Sequence, residues 1–155
     1  MSSAIERRLG ELGLELPELP APAGNYVPCV RTGNLLFVSG QVPMLDGRIA
    51  VAGRLGEDVD IEEGQRAARI CALNILAQAK AALDGDLSRL ARCVKLGGFV
   101  ACTADFTDQP KVINGASDLM VAVMGEAGRH ARFAVGAPAL PLGAAVEVEA
   151  LFELA

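Results

Sequence analysis

The stretch from Arg129 to Ala155, RHARFAVGAPALPLGAAVEVEALFELA, decides how this chain is read. It holds two β-prone runs, Arg129 to Val135 and Ala145 to Phe152, joined by a link broken by Pro138, Pro141 and Gly143. In the second run Val146, Val148, Ala150 and Phe152 alternate with Glu147, Glu149, Leu151 and Glu153. Successive strand residues point to opposite faces, so one face is core and the other carries carboxylates. The stretch also isolates a cation, because the fourteen residues after Arg132, up to Val146, carry no charge.

Working outward, Asp108 as cap and Pro110 in the first turn open a helix through about Met124, with Val112, Leu119 and Val123 near one face and Gly125 and Gly128 as stops. Cys93 to Cys102 is rich in Val, Leu and Phe around a single charge, Lys95, as a centrally buried strand requires. Asp60 caps a longer helix whose apolar or small positions Ile61, Gly64, Ala68, Cys71, Ile75, Ala79 and Leu83 recur at spacings of three and four, ending near Asp84-Gly85. Further upstream, Tyr26 to Arg31 and Leu35 to Ser39 flank Thr32-Gly33-Asn34 and predict a hairpin. Asp46-Gly47 and Gly53 to Gly56 read as turns and loop.

At the start, Ile5, Leu9 and Leu12 predict a short amphipathic helix, followed by an extended connector holding Pro17, Pro20 and Pro22. The boundary is drawn there: residues 1–23 form a helix and Pro-rich connector, and residues 24–155 form the main domain. The order ββαβαββ after an N-terminal helix is an α+β arrangement, a mixed sheet packed against two helices.

Composition narrows the chemistry. A chain of 155 residues suits one domain, and 52% hydrophobic but only 4% aromatic residues, 26 of them alanine in all, imply close packing of small side chains. One histidine and no tryptophan exclude poly-histidine metal sites and stacked-aromatic nucleic-acid platforms. A net charge of −5 argues against nucleic acid as a partner. The longest uncharged runs reach 14 residues, short of the ~20 a bilayer span needs, and the start lacks a signal-peptide pattern, so a cytoplasmic location is expected. Four cysteines without CxxC spacing predict reduced thiols.

Arg132 is the leading candidate for binding, since its planar fork holds a carboxylate bidentately; a cross-strand pair with Glu147 or Glu149 is the structural alternative. Glu147 would act as general base where partial burial raises its pKa, and Glu149 on the same face would do likewise. A Cys-His hydrolase would need His130 beside Cys29, Cys71, Cys93 or Cys102, and no local signature supports one. His130 stands two residues before Arg132, on the same side of that strand.

Gly24-Asn25-Tyr26-Val27, Phe37-Val38-Ser39-Gly40-Gln41-Val42-Pro43, Asn114, Arg132, Leu140-Pro141 and Val146-Glu147-Val148-Glu149 occur in the order in which the Rid (reactive intermediate deaminase, or YjgF) family carries such pieces. Over roughly Gly24 to Leu154 the chain resembles that family. The resemblance implies a chorismate-mutase-like fold, assembled as a trimeric barrel with ligand clefts between subunits. It implies hydrolysis of reactive 2-imino and enamine acids to 2-keto acids and ammonia, a role in metabolite damage control, with no metal and no cofactor. A non-catalytic trimeric binder of small keto acids would use the same cleft. The resemblance further implies that Arg132 grips the carboxylate of a small metabolite, that Glu147 holds the attacking water, and that Tyr26, Ser39, Gly40 and Asn114 line the cleft. Two positions depart from the archetype: Ala134 stands where it has Cys, and Asn25 where it has Pro. Many members also carry an endoribonuclease label, which the acidic composition here does not support.

Overall fold

A computed structural model describes residues 2–19 and 24–155; Pro20 and Pro22 of the expected connector lie outside the described residues. Ser3 and Glu6 start the first element through a reciprocal cap. The Glu6 N–H donates to Ser3 Oγ at 3.1 Å and the Ser3 N–H donates to Glu6 Oε2 at 2.9 Å. Helix α1 runs Ala4–Glu11, with Ile5 and Leu9 buried.

Strands β1 (Cys29–Thr32) and β2 (Leu35–Gln41) form the expected hairpin, closed by the two residues Gly33 and Asn34, with Gly33 at φ +58°. The first strand begins three residues later than Tyr26, because Tyr26 and Val27 precede Pro28, which has no N–H to give to a ladder. Two strands of two residues, β3 (Met44–Leu45) and β4 (Arg48–Ile49), fold about Asp46 and Gly47 where only turns were expected.

Helix α2 (Ile61–Ala82) starts where the Glu63 N–H donates to Asp60 Oδ1 at 2.8 Å, and Ala68, Cys71, Ile75 and Ala79 on its inner face are fully buried. Strand β5 (Leu90–Ala101), helix α3 (Gln109–Met124), strand β6 (Ala131–Ala137) and strand β7 (Val146–Leu154) complete the chain. The sheet order is β1-β2-β7-β5-β6, with β5 and β6 parallel and every other pair antiparallel. The parallel pair is joined through α3, as a crossover connection requires.

Helices α2 and α3 cover one face of this mixed sheet, and α1 is a third helix against α3. Leu36, Val38, Leu96, Val100, Val146, Val148 and Phe152 point into that core, and Ile5 and Leu9 of α1 belong to the same cluster. Two glycines permit the closeness. A Cβ at Gly98 would press on the Ile113 side chain, and one at Gly115 would collide with the Gln65 carbonyl oxygen of α2.

The other face of the sheet is open and partly apolar. Val30 and Phe37 are about half exposed, at 52% and 45%, and a groove of ≈ 300 Å³ runs past Phe37, Ser39, Gly97 and Glu149. Phe99 and Phe133 meet edge to face there, with centroids 5.2 Å apart. Among the described residues no helix is long and apolar enough to cross a membrane.

Candidate functional site

In the β5/β6 pairing Arg132 stands beside Leu96, a fully buried core residue, so its side chain leaves the sheet on the helical side. At this edge strand the helical cover is incomplete, which leaves the guanidinium half-buried rather than enclosed. Nη1 donates to Asn114 Oδ1 at 2.8 Å and to Ser117 Oγ at 3.0 Å, and Nη2 donates to the Pro110 carbonyl at 3.2 Å. All three acceptors are uncharged and belong to α3. No carboxylate among the described residues lies within ion-pair distance of Arg132.

Behind Arg132 stands His130, and the two side chains meet on Ser117. Ser117 Oγ lies 2.8 Å from His130 Nε2, and His130 Nδ1 lies 2.6 Å from the Gly128 carbonyl oxygen. Gly128 is buried, and a Cβ there would collide with the Met120 carbonyl.

Glu147 leaves the sheet on the other face. The expected cross-strand pairing of Arg132 with Glu147 or Glu149 does not form. Strand β5 lies between β6 and β7, and in its register Glu147 stands beside Phe99 and Glu149 beside Gly97, while Arg132 stands beside Leu96, one residue out of phase. Since alternate residues point to opposite faces, the cation and the carboxylates are on opposite sides.

The half-buried Glu147 carboxyl fills the space beside Gly40, where a Cβ would run into Glu147 Oε2. Gly40 and Ser39 sit at a register shift between Val38 and Gln41, so the ladder to β7 is interrupted beside that carboxyl. Burial pushes the Glu147 carboxyl above its ordinary range, and the neighbouring Glu149 charge pushes it further. Ser39 Oγ donates to the Val27 carbonyl at 2.9 Å, which ties this bulge to the segment carrying Tyr26; the Tyr26 ring is exposed and lies over Gly24.

The six candidates therefore divide within one chain: Ser39, Gly40 and Glu147 gather on the open face, Tyr26 is tied to them through the Ser39–Val27 bond one residue away, and Asn114 with Arg132 stand at the β6–α3 edge. Sequence reasoning missed Ser117, whose only signal is its place three residues after Asn114 on one helix face. It also missed the Pro110 and Gly128 carbonyls. A thiol nucleophile finds no support, because His130 bonds Ser117 and Gly128, and burial pushes Cys29 up to about 11, Cys93 up to about 12 and Cys71 well above its usual value. Among the described residues no three His, Cys, Asp or Glu side chains cluster as metal ligands would.

Comparison with known proteins agrees with this architecture. A family model described as "YjgF/chorismate_mutase-like, putative endoribonuclease" matches residues 6–154. Protein TCP17 of Trypanosoma cruzi is 52% identical over 154 residues, spanning 99% of this chain and 96% of that protein. RutC family protein y4sK of Sinorhizobium fredii is 31% identical over 137 residues, spanning 88% and 93%. The crystal structure of Atu1372 from Agrobacterium tumefaciens, a protein of unknown function, superposes with a TM-score of 0.90 at 56% identity, covering 97% of this chain and 92% of that one.

Proposed function

Because the chain belongs to the YjgF/chorismate-mutase-like family, we propose that it is a cytoplasmic, cofactor-free deaminase, hydrolysing small 2-imino and enamine acids to 2-keto acids and ammonia. The observation that carries this reading is Arg132, a half-buried cation held by three neutral acceptors with no carboxylate at ion-pair distance among the described residues. A cation so placed is completed by an anionic ligand, and a planar carboxylate matches its fork.

Arg132 and Glu147 lie on opposite faces of one sheet, so the two act on one molecule only when a neighbouring copy supplies the second. The half-exposed Val30 and Phe37 give the open face apolar surface for such contacts, and a closed cyclic trimer is the assembly proposed. In the cleft, Arg132 holds the carboxylate and Glu147 of the adjoining copy holds a water against the imine carbon. Water adds to that carbon while Glu147 takes one of its protons. The proton passes to the imine nitrogen to give the neutral carbinolamine; Glu147 then carries the hydroxyl proton to the amino nitrogen, the C–N bond breaks, and ammonia leaves as the C=O of the 2-keto acid forms. Tyr26, Ser39, Gly40 and Asn114 line the cleft; positioning and fixed charge supply most of the acceleration.

Ammonia release from 2-iminopropionate generated in situ tests the reading. Glu147→Gln is expected to lower kcat about 10²-fold, the usual contribution of a general base. Since the Glu147 carboxyl is raised, the acid limb of the rate profile is expected above the range of an exposed glutamate. The same shift fixes the sign for stability. A raised carboxyl favours the fold below its unfolded pKa, and that contribution is lost as pH rises through the raised value. Glu147→Gln is therefore expected to be no less stable than the parent at pH 7, as a thermal melt would register. Tight keto-acid binding by calorimetry without ammonia release would instead identify a binding protein.

A further inference from the structure

We propose that Ser117 and His130 are positioning residues for Arg132, fixing its guanidinium so that only its Nε/Nη2 edge is open to a carboxylate; this rests on the reading of Arg132 above. A guanidinium has five N–H groups in one plane. Both hydrogens of Nη1 are accepted, by Asn114 Oδ1 and Ser117 Oγ, and one of Nη2 by the Pro110 carbonyl. Nε–H and one Nη2–H are left without an acceptor among the described residues, and with Nη1 occupied the Nε/Nη2 edge is the one on which two free N–H groups can lie parallel, at the spacing that a carboxylate's two oxygens fit. The end-on approach through Nη1 is closed by the protein itself.

The polarity of the network follows from its far end. A carbonyl oxygen can only accept, so the Gly128 carbonyl places the proton of His130 on Nδ1. In the neutral ring Nε2 is then an acceptor, and the Ser117 hydroxyl, 2.8 Å away, donates to it. With its hydrogen so committed, Ser117 Oγ offers Arg132 only lone pairs. From Arg132 Nη1 through Ser117 and His130 to the Gly128 carbonyl each donor meets an acceptor, and reversing any one member of that series in the neutral ring leaves two donors or two acceptors facing each other. The proposed specificity follows: the edge selects planar, two-oxygen anions and fixes the direction from which the rest of the ligand extends.

Calorimetry with pyruvate as the probe separates this proposal from the reading beneath it. Ser117→Ala is expected to raise Kd about tenfold, as loss of a hydrogen bond to a charged group does, while Ser117→Thr, which keeps the hydroxyl, retains the parent affinity. Kd reports only the folded fraction, so a purely structural loss would not move it. Parent affinity in Ser117→Ala, or an equal loss in Ser117→Thr, overturns the positioning role and leaves the functional reading standing. Parent affinity in Arg132→Ala overturns both. Long-range proton–nitrogen NMR is expected to show His130 protonated on Nδ1 at pH 8, and protonation on Nε2 there would overturn the series.

Discussion

Arg132→Ala is expected to lower kcat/KM for 2-iminopropionate about 10³-fold while leaving the melting temperature close to that of the parent. Two charge-assisted hydrogen bonds to one carboxylate are worth about 4 kcal/mol together, which converts to a factor of that size. Stability changes little because Arg132 forms no ion pair among the described residues, and the three α3 acceptors it would leave, on Asn114, Ser117 and Pro110, stand at a half-exposed edge where water takes the place of its N–H groups. Arg132→Lys is expected to recover little, since a compact ammonium cannot reproduce a two-point fork. The proposed clefts add a sharper arm. Chains carrying Arg132→Ala, unfolded and refolded together with an equal amount of Glu147→Gln chains, are expected to regain about a quarter of the parent rate, because random cyclic mixing pairs an intact arginine with an intact glutamate at about one junction in four. A parent-like rate for Arg132→Ala alone would refute the binding role, and a mixture as inactive as its components would refute the shared cleft.

Gly115→Ala is expected to destabilise the fold by about 3 kcal/mol, the upper end for overpacking a core. At an ordinary helix position the same change is favourable by about 1 kcal/mol, so the sign is decisive. At Gly115 the new Cβ would fall on the Gln65 carbonyl oxygen and within 2.8 Å of the Gln65 carbonyl carbon, backbone atoms of α2 that no rotamer change can move. The helices must separate, and with them the packing of Ala68, Cys71, Val112 and Ala116, all fully buried. Gly10→Ala in α1 is the control, because nothing lies within 4 Å of its added Cβ and it carries no such cost. Urea denaturation of the two variants side by side measures the difference; a Gly115→Ala chain as stable as the parent would show that α2 and α3 are not locked at this contact.

Much of this architecture is written in short-range patterns. The threefold and fourfold spacing from Ile61 to Leu83 and the twofold alternation from Val146 to Phe152 each report burial within one element, and α2 and β7 follow them. Strands β3 and β4 were not legible because two residues hold no period. The relation between Arg132 and Glu147 was not legible for a different reason. Alternation assigns faces within a strand, but the phase between two strands depends on the register each adopts on a third, here β5. Ser117 was hidden likewise: a serine in mid-helix becomes informative only when β6 brings His130 and Arg132 to it.

The first helix has a practical meaning. Its anchor points, the Glu6–Lys80 ion pair at 2.6 Å and the Arg8 Nε bond to the Ala122 carbonyl at 2.9 Å, hold it on the helical side of the sheet. Ala122 lies eight residues along α3 from Asn114, roughly 12 Å at 1.5 Å per residue. A fluorophore or immobilisation handle joined ahead of Ser2 thus reports on the molecule from a side remote from the open sheet face. Trimming the chain to remove such a handle has to stop short of Ile5, since the helix is part of the body it labels.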